Sequence, residues 1–185
     1  MIIRSAAPGD ARALLSIYAP YVTDTAVSFE YDVPTEAEFA ERIARTLLKY
    51  PYLVLEEAGE IQGYAYAGPF KGRAAYDWSA EVTVYVRWGA HGRGYGRKLY
   101  EALEAALRDM GIRNLYACIA YTEAEDPFLT QDSPRFHEKM GYRLCGTFRQ
   151  CAGKFGRWYD MIWMEKIIGA PRESPAAIRW RQDTI

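Results

Sequence analysis

Glu81-Val82-Thr83-Val84-Tyr85-Val86, then His91-Gly92-Arg93-Gly94-Tyr95-Gly96-Arg97-Lys98, reads as a strand, a glycine turn and the start of a helix. The strand runs from Trp78 to Val86, rich in Val and aromatics with alternating character. After the turn, Leu99, Leu103, Ala106, Leu107 and Met110 recur at helical spacing, and Gly111 closes the helix. Amides at a helix start lack intrahelical partners and carry partial positive charge. Gly92, Gly94 and Gly96 lack Cβ, so the backbone can approach a phosphate closely. Arg93, Arg97 and Lys98 add charge beside it. A dinucleotide fingerprint would need its third glycine at 97, where Arg stands, and it normally follows the first strand of its fold. A P-loop would need Gly-Lys-Ser/Thr, which is absent. The plain alternative is a glycine-rich turn with no ligand.

Working outward, Ile2 to Ser5 reads as a first strand. Asp10 is the expected N-cap of a helix carrying Leu14, Leu15, Tyr18 and Val22, ended or kinked near Ala19 by Pro20. Val27 to Tyr31 is a short apolar loop or strand. Thr35 and Glu38 form a capping box before a helix with Phe39, Ile43, Leu47 and Leu48, stopped by Pro51. Tyr52–Glu57 and Ile61–Ala67 flank Ala58-Gly59-Glu60 as a hairpin, and a Gly, Pro and Lys/Arg loop runs from Gly68 to Tyr76. Beyond Gly111 come a strand from Leu115 to Ala120 and an acidic loop from Tyr121 to Asp132. A short helix follows from near Pro134 through Met140, ended by Gly141. Two last strands, Tyr142–Arg149 and Tyr159–Lys166, are joined by a Gly/Lys/Arg loop. Residues 1–168 are expected to form one domain and 169–185 a tail, either loose or anchored by Ile178 and Trp180.

The 185 residues carry a net charge of −1, which argues against a nucleic-acid binder. No apolar run approaches the roughly 20 residues of a membrane span, and no signal-peptide core follows Met1, so a cytoplasmic home is expected. Cys118, Cys145 and Cys151 show neither zinc spacing nor a disulfide framework; buried inert thiols are expected, and no metal. The 15 Tyr and 5 Trp suit a binding cleft or a dimer face.

The turn resembles the coenzyme A pyrophosphate loop of the GNAT acetyltransferases, Gln/Arg-x-x-Gly-x-Gly/Ala, with Gly94 and Gly96 matching and His91 at the Gln/Arg position. The element order is similar to the GNAT fold, an α/β (α+β) architecture. That fold implies a mostly antiparallel sheet of about seven strands, splayed in the middle and flanked by about four helices. Ser28-Phe29-Glu30, Arg73-Ala74-Ala75-Tyr76, Glu81 to Val86, Ser133-Pro134-Arg135-Phe136-His137-Glu138-Lys139-Met140-Gly141, and Lys154-Phe155-Gly156-Arg157-Trp158 with Asp160 resemble the phosphinothricin/methionine sulfoximine N-acetyltransferase branch. The loop 121–132 is longer than that branch's, and the Asn often found there has no clear counterpart.

The resemblance implies an acetyl-CoA-dependent N-acetyltransferase acting on the amine of a small amino-acid-like molecule, and a homodimer with sites near the interface. Glu81 is the implied base, its bland alternative being a surface strand residue or an ion pair. A backbone N–H of Val84-Tyr85-Val86 is the implied oxyanion donor, and those residues would hold pantetheine as a further strand. His91, Gly92, Arg93, Gly94, Tyr95, Gly96, Arg97 and Ser133 complete the implied coenzyme contacts. His137, where many relatives place Tyr, is an implied acid for the leaving thiolate or else a plain helix residue. Phe29, Arg73, Ala75, Tyr76 and Trp158 are the implied acceptor residues, with charge from Lys154 and Arg157. Polyamines, aminoglycosides or a protein N-terminus are the alternative acceptors. A non-catalytic acyl-CoA sensor and a nicotinamide enzyme are the rivals from other classes.

Overall fold

A computed structural model of the chain describes residues 1–170 and 174–180. In chain order the elements are β1 (Ile2–Ser5), α1 (Ala11–Thr23), α2 (Glu36–Leu47), β2 (Tyr52–Glu57), β3 (Glu60–Pro69), β4 (Ser79–Val86), α3 (Tyr95–Met110), β5 (Asn114–Tyr121), α4 (Asp132–Lys139), β6 (Arg143–Lys154) and β7 (Arg157–Ile167). The strands form one seven-stranded sheet in the order β1-β2-β3-β4-β5-β7-β6. Every neighbouring pair is antiparallel except β4 and β5, which run parallel. This is the splayed mixed sheet that the resemblance implied.

Two apolar layers sandwich part of the sheet. On one face, Leu99, Leu103 and Leu107 of α3 are fully buried against alternate residues of the central strands, such as Val82, Leu115 and Ile162. On the other face, Leu14 and Ile17 of α1 and Ile43 of α2 bury against Tyr52, Val54 and Tyr64 of β2 and β3. The capping box of α2 is present: Thr35 Oγ1 accepts from the Glu38 amide at 3.2 Å, and the Glu38 carboxylate accepts from the Thr35 amide at 2.7 Å. Leu48 lies past the end of α2 and is exposed. The β2–β3 hairpin turns through Ala58 and Gly59, both at positive φ (53° and 82°), the geometry that matches strand twist.

Several expectations are corrected. Pro20 lies inside α1 and does not end it; Tyr21 and Val22 beyond it are buried, and their packing carries the helix on to Thr23. Asp10 is the N-cap residue of α1 as expected, but makes no side-chain capping bond; its carboxylate accepts from the Ala7 amide at 2.8 Å and pairs with Arg4. Of the two alternatives for residues 27–31, the loop is the one observed. The Gly/Lys/Arg segment between the last two strands is mostly strand, and the turn itself is Phe155-Gly156. All three cysteines are exposed, because Cys118 points to the sheet face away from α3 and the others lie on edge strand β6. Within the tail, Ile178 and Trp180 pack on the α3 side of the core. There the Trp78 indole donates to the Ala176 carbonyl at 2.6 Å, and the Arg179 amide to Met110 at 2.9 Å. Positions 171–173 and 181–185 of the expected tail lie outside the described residues.

Candidate active site

The sheet opens where β4 and β5 part. They pair only through Ser79, Ala80 and Glu81 against Asn114, Leu115 and Tyr116. Beyond that point β4 pairs with β3 alone and β5 with β7 alone. The Arg87 amide donates to Gln62 on β3 at 2.8 Å, so alternation turns the backbone groups of Val82, Val84 and Val86 toward the gap. Val84 therefore offers an amide and a carbonyl to any extended ligand entering the cleft. Tyr21 donates its hydroxyl to the Val86 carbonyl at 2.6 Å. Across the gap stand Cys118 and Ile119 of β5, with Tyr100, Ser133 and His137 behind.

The glycine turn closes one end of this cleft. Gly92 and Gly94 sit at φ 78° and 81°, a region that favours glycine, and Gly94 is the residue from which α3 starts. A Cβ on either would meet nothing within 4 Å, so space lies open beside the turn at both glycines. Gly96 has a different reason: its missing Cβ faces the Phe136 ring of α4 at 3.4 Å. Arg93 is exposed, and Arg97 makes only a loose 3.8 Å contact with Glu101. The Tyr95 side chain is buried with its hydroxyl on Glu57, so only its backbone faces the turn. His91 is turned back, with Nε2 2.7 Å from the Tyr21 hydroxyl.

Glu81 is half-buried at the point of divergence, opposite Gly68 on β3 and Tyr116 on β5. Burial raises its pKa above the ordinary carboxylate value, and the charge of Lys71 opposes that rise. It makes no ion pair within 4 Å among the described residues. His137 is only 4% exposed, and burial pushes its pKa down to about 4, against a weaker opposing pull from Ser133. Its Nδ1 lies 2.8 Å from the Ser133 carbonyl, which can only accept, so Nδ1 carries the proton. Nε2, at 3.0 Å, then accepts from the Tyr100 hydroxyl. The expected acid at neutral pH is thus corrected: the imidazole is neutral and both its nitrogens are engaged. Tyr100, which the sequence did not single out, has a hydroxyl whose pKa burial raises, so it stays a donor.

Arg73, Ala75 and Tyr76 lie on and beside a single 3-10 turn, Ala74–Tyr76, after β3. There Tyr76 contacts Phe70 edge-on at 6.1 Å, Phe70 stacks on Tyr116 at 4.0 Å, and the Lys71 ammonium lies 5.0 Å over Phe70 and 5.6 Å over Trp163. Sequence reading missed Phe70, Lys71, Tyr116 and Trp163. Only strand register puts Tyr116 beside Glu81. Phe29 instead packs at the far end of the cleft, against Tyr159 at 6.4 Å. Trp158 is exposed at the β6–β7 tip, five residues along β7 from Trp163, on which Phe70 and Lys71 sit, and so about 16 Å along the strand from that contact. That strand length keeps Trp158 apart from the Phe70–Lys71 contact. Lys154 is buried, donating to the carbonyls of Val22 at 2.8 Å and Ser28 at 2.6 Å, so it latches the hairpin to the end of α1. Arg157 pairs with Asp126 at 3.1 Å.

Among the described residues, no three His, Cys, Asp or Glu side chains gather as a metal site. No helix there is long and apolar enough to cross a membrane. The family model described as an acetyltransferase (GNAT) domain matches residues 3–163. The phosphinothricin N-acetyltransferase of Streptomyces viridochromogenes is 35% identical over 91% of this chain and 88% of its own length. The L-methionine sulfoximine/L-methionine sulfone acetyltransferase of Salmonella typhimurium is 34% identical over 89% and 93%. A phosphinothricin acetyltransferase from Sinorhizobium meliloti, solved in complex with acetyl-CoA, superposes with a TM-score of 0.86 at 31% identity, covering 100% of this chain and 97% of that one.

Proposed function

We propose that this chain, which belongs to the GNAT acetyltransferase family and is an acetyl-CoA-dependent N-acetyltransferase, acetylates the α-amine of a small amino acid of the phosphinothricin or methionine sulfoximine/sulfone kind. The observation that carries the reading is the half-buried carboxylate of Glu81 at the point where β4 and β5 part, beside an open strand edge.

An ammonium has no lone pair, so Glu81 accepts its proton first, directly or through water. The free amine then attacks the thioester carbonyl carbon, a C–N bond forms and the C–S bond breaks. The Val84 amide, facing the gap, donates to the developing oxyanion. The second amine proton passes to the departing thiolate, and Glu81 returns its own to solvent. Tyr100, at the cleft wall, would turn its one hydroxyl proton from His137 Nε2 to the departing sulfur. His137 thus enters as a positioning residue. The α3 amides and the glycine turn would hold the pyrophosphate, with Arg93 and Arg97 adding charge. Arg73 and Lys71 would bind the acceptor's acid groups, and Phe70 and Tyr76 its side chain.

Residues 1–168 would form one catalytic domain, in keeping with the single sheet. A homodimer would reconcile the separated Trp158 tip and Phe70–Lys71 contact by bringing one copy's hairpin tip to the other's acceptor loop. Exposed Phe148 and Leu144 on β6 suit such an interface. Exposed free thiols suit a reducing compartment, in line with a cytoplasmic home. Thiol release across phosphinothricin, methionine sulfoximine, methionine sulfone, ordinary amino acids and polyamines tests the acceptor. A polyamine preferred over every amino acid would sink the reading. Glu81→Gln should lower kcat/KM at neutral pH by about 10²–10⁴-fold with coenzyme affinity intact.

A further inference from the structure

In the coenzyme loop, position 91 is the one that departs from the motif, and its side chain is engaged elsewhere. The Tyr21 hydroxyl lies 2.6 Å from the Val86 carbonyl and 2.7 Å from His91 Nε2. A carbonyl only accepts, so the single Tyr21 proton goes to Val86. His91 must then carry a proton on Nε2 and donate it to the Tyr21 oxygen. The Tyr21 ring is buried and held edge-on by Tyr85 at 5.0 Å and Trp88 at 5.6 Å. One hydroxyl thereby joins three parts: the last turn of α1, the end of the open edge of β4, and the loop that leads into Gly92. Tyr21 reaches that place only because α1 continues past Pro20.

We propose that Tyr21 is a positioning residue for the coenzyme site, and that His91 acts through it rather than by touching the pyrophosphate. The inference rests on the glycine turn being the pyrophosphate site. A coenzyme held at both ends needs the turn and the β4 edge at a fixed spacing, and Tyr21 sets that spacing. A short acyl thioester uses only the β4 edge and is indifferent to it.

The test compares KM for acetyl-CoA with KM for S-acetylpantetheine, which has no pyrophosphate. Tyr21→Phe keeps the ring, removes both hydrogen bonds of the hydroxyl, and should raise KM for acetyl-CoA at least about three- to tenfold, the net worth of one of them. Its kcat should change less than about twofold, and KM for S-acetylpantetheine should not move. His91→Ala, at an exposed position that does not threaten folding, should do the same. His91→Gln, whose amide can donate to Tyr21, should restore the acetyl-CoA value. An equal rise for both thioesters, or no rise for either, overturns the proposal. Gly94→Val serves as the reference. If it raises KM for acetyl-CoA while Tyr21→Phe and His91→Ala do not, the positioning role alone fails. If Gly94→Val also leaves KM unchanged, the pyrophosphate reading of the turn fails and takes the proposal with it.

Discussion

Lowering the pH from 7 to 4.5 should cost this fold stability through one imidazole. His137 is packed among Tyr100, Phe136 and Tyr142 with its nitrogens on Ser133 and Tyr100. Burial lowers its pKa from 6.5 to about 4. In the unfolded chain the ring takes its proton near 6.5, while the folded protein refuses it until near 4. Between those values the unfolded state binds more protons, so stability rises with pH and falls as the pH drops through this window. At about 1.4 kcal/mol per tenfold change in proton affinity, the loss between pH 7 and 4.5 comes to about 2.5 kcal/mol. The assay is urea unfolding at both pH values for the wild type and for His137→Gln. Glutamine can accept from Tyr100 and donate to Ser133 without titrating. Carboxylates protonate over the same range in both proteins, so the difference between the two isolates His137. Equal losses in both would refute the buried neutral imidazole, and with it the assignment of Tyr100 as the donor at the cleft wall.

Burial raises the Glu81 pKa and Lys71 opposes it, so the acid limb of kcat/KM should lie above the ordinary carboxylate range and move further up in Lys71→Met. A limb unmoved by Lys71→Met, or retained in Glu81→Gln, would remove Glu81 as the titrating base. Lys154→Met leaves the carbonyls of Val22 and Ser28 without their donor and should cost about 2 kcal/mol, read as a drop of several degrees in Tm. An unchanged Tm would show that the latch contributes nothing net. Gly63→Ala places a Cβ 2.9 Å from the Tyr85 carbonyl and 3.2 Å from Leu99, and should destabilise by about 1–3 kcal/mol in urea titrations. A neutral result there would mean that β4 and α3 shift freely.

Where sequence reading succeeded, the signal was local. The capping box at Thr35 and Glu38, the paired positive-φ residues Ala58 and Gly59, and the Leu ladder of α3 each work within a few residues. Where it failed, a distant contact had decided the matter. Pro20 looked like a stop, but Tyr21 and Val22 pack into the core and carry the helix past it. The residues before Trp158 looked like a loop because they hold Gly, Lys and Arg. The strands run on because β6 and β7 pair as far as Lys154 and Arg157, where Lys154 meets two carbonyls from the end of α1 and the loop after it. The cysteines looked like core, yet which strand face meets α3 depends on sheet pairing that no single strand displays.

The sequence by itself determined the order of the elements, the glycine turn at the head of α3, and the place of Glu81 on the strand before it. All of these follow from periodicity, capping and the conformational freedom of glycine. Only the tertiary structure decided where β4 leaves β5, which of its backbone groups face the gap, and how each imidazole is used. Parallel pairing and burial join residues far apart in the chain. Burial is what makes His137 neutral, and the reach of α1 is what turns His91 onto Tyr21.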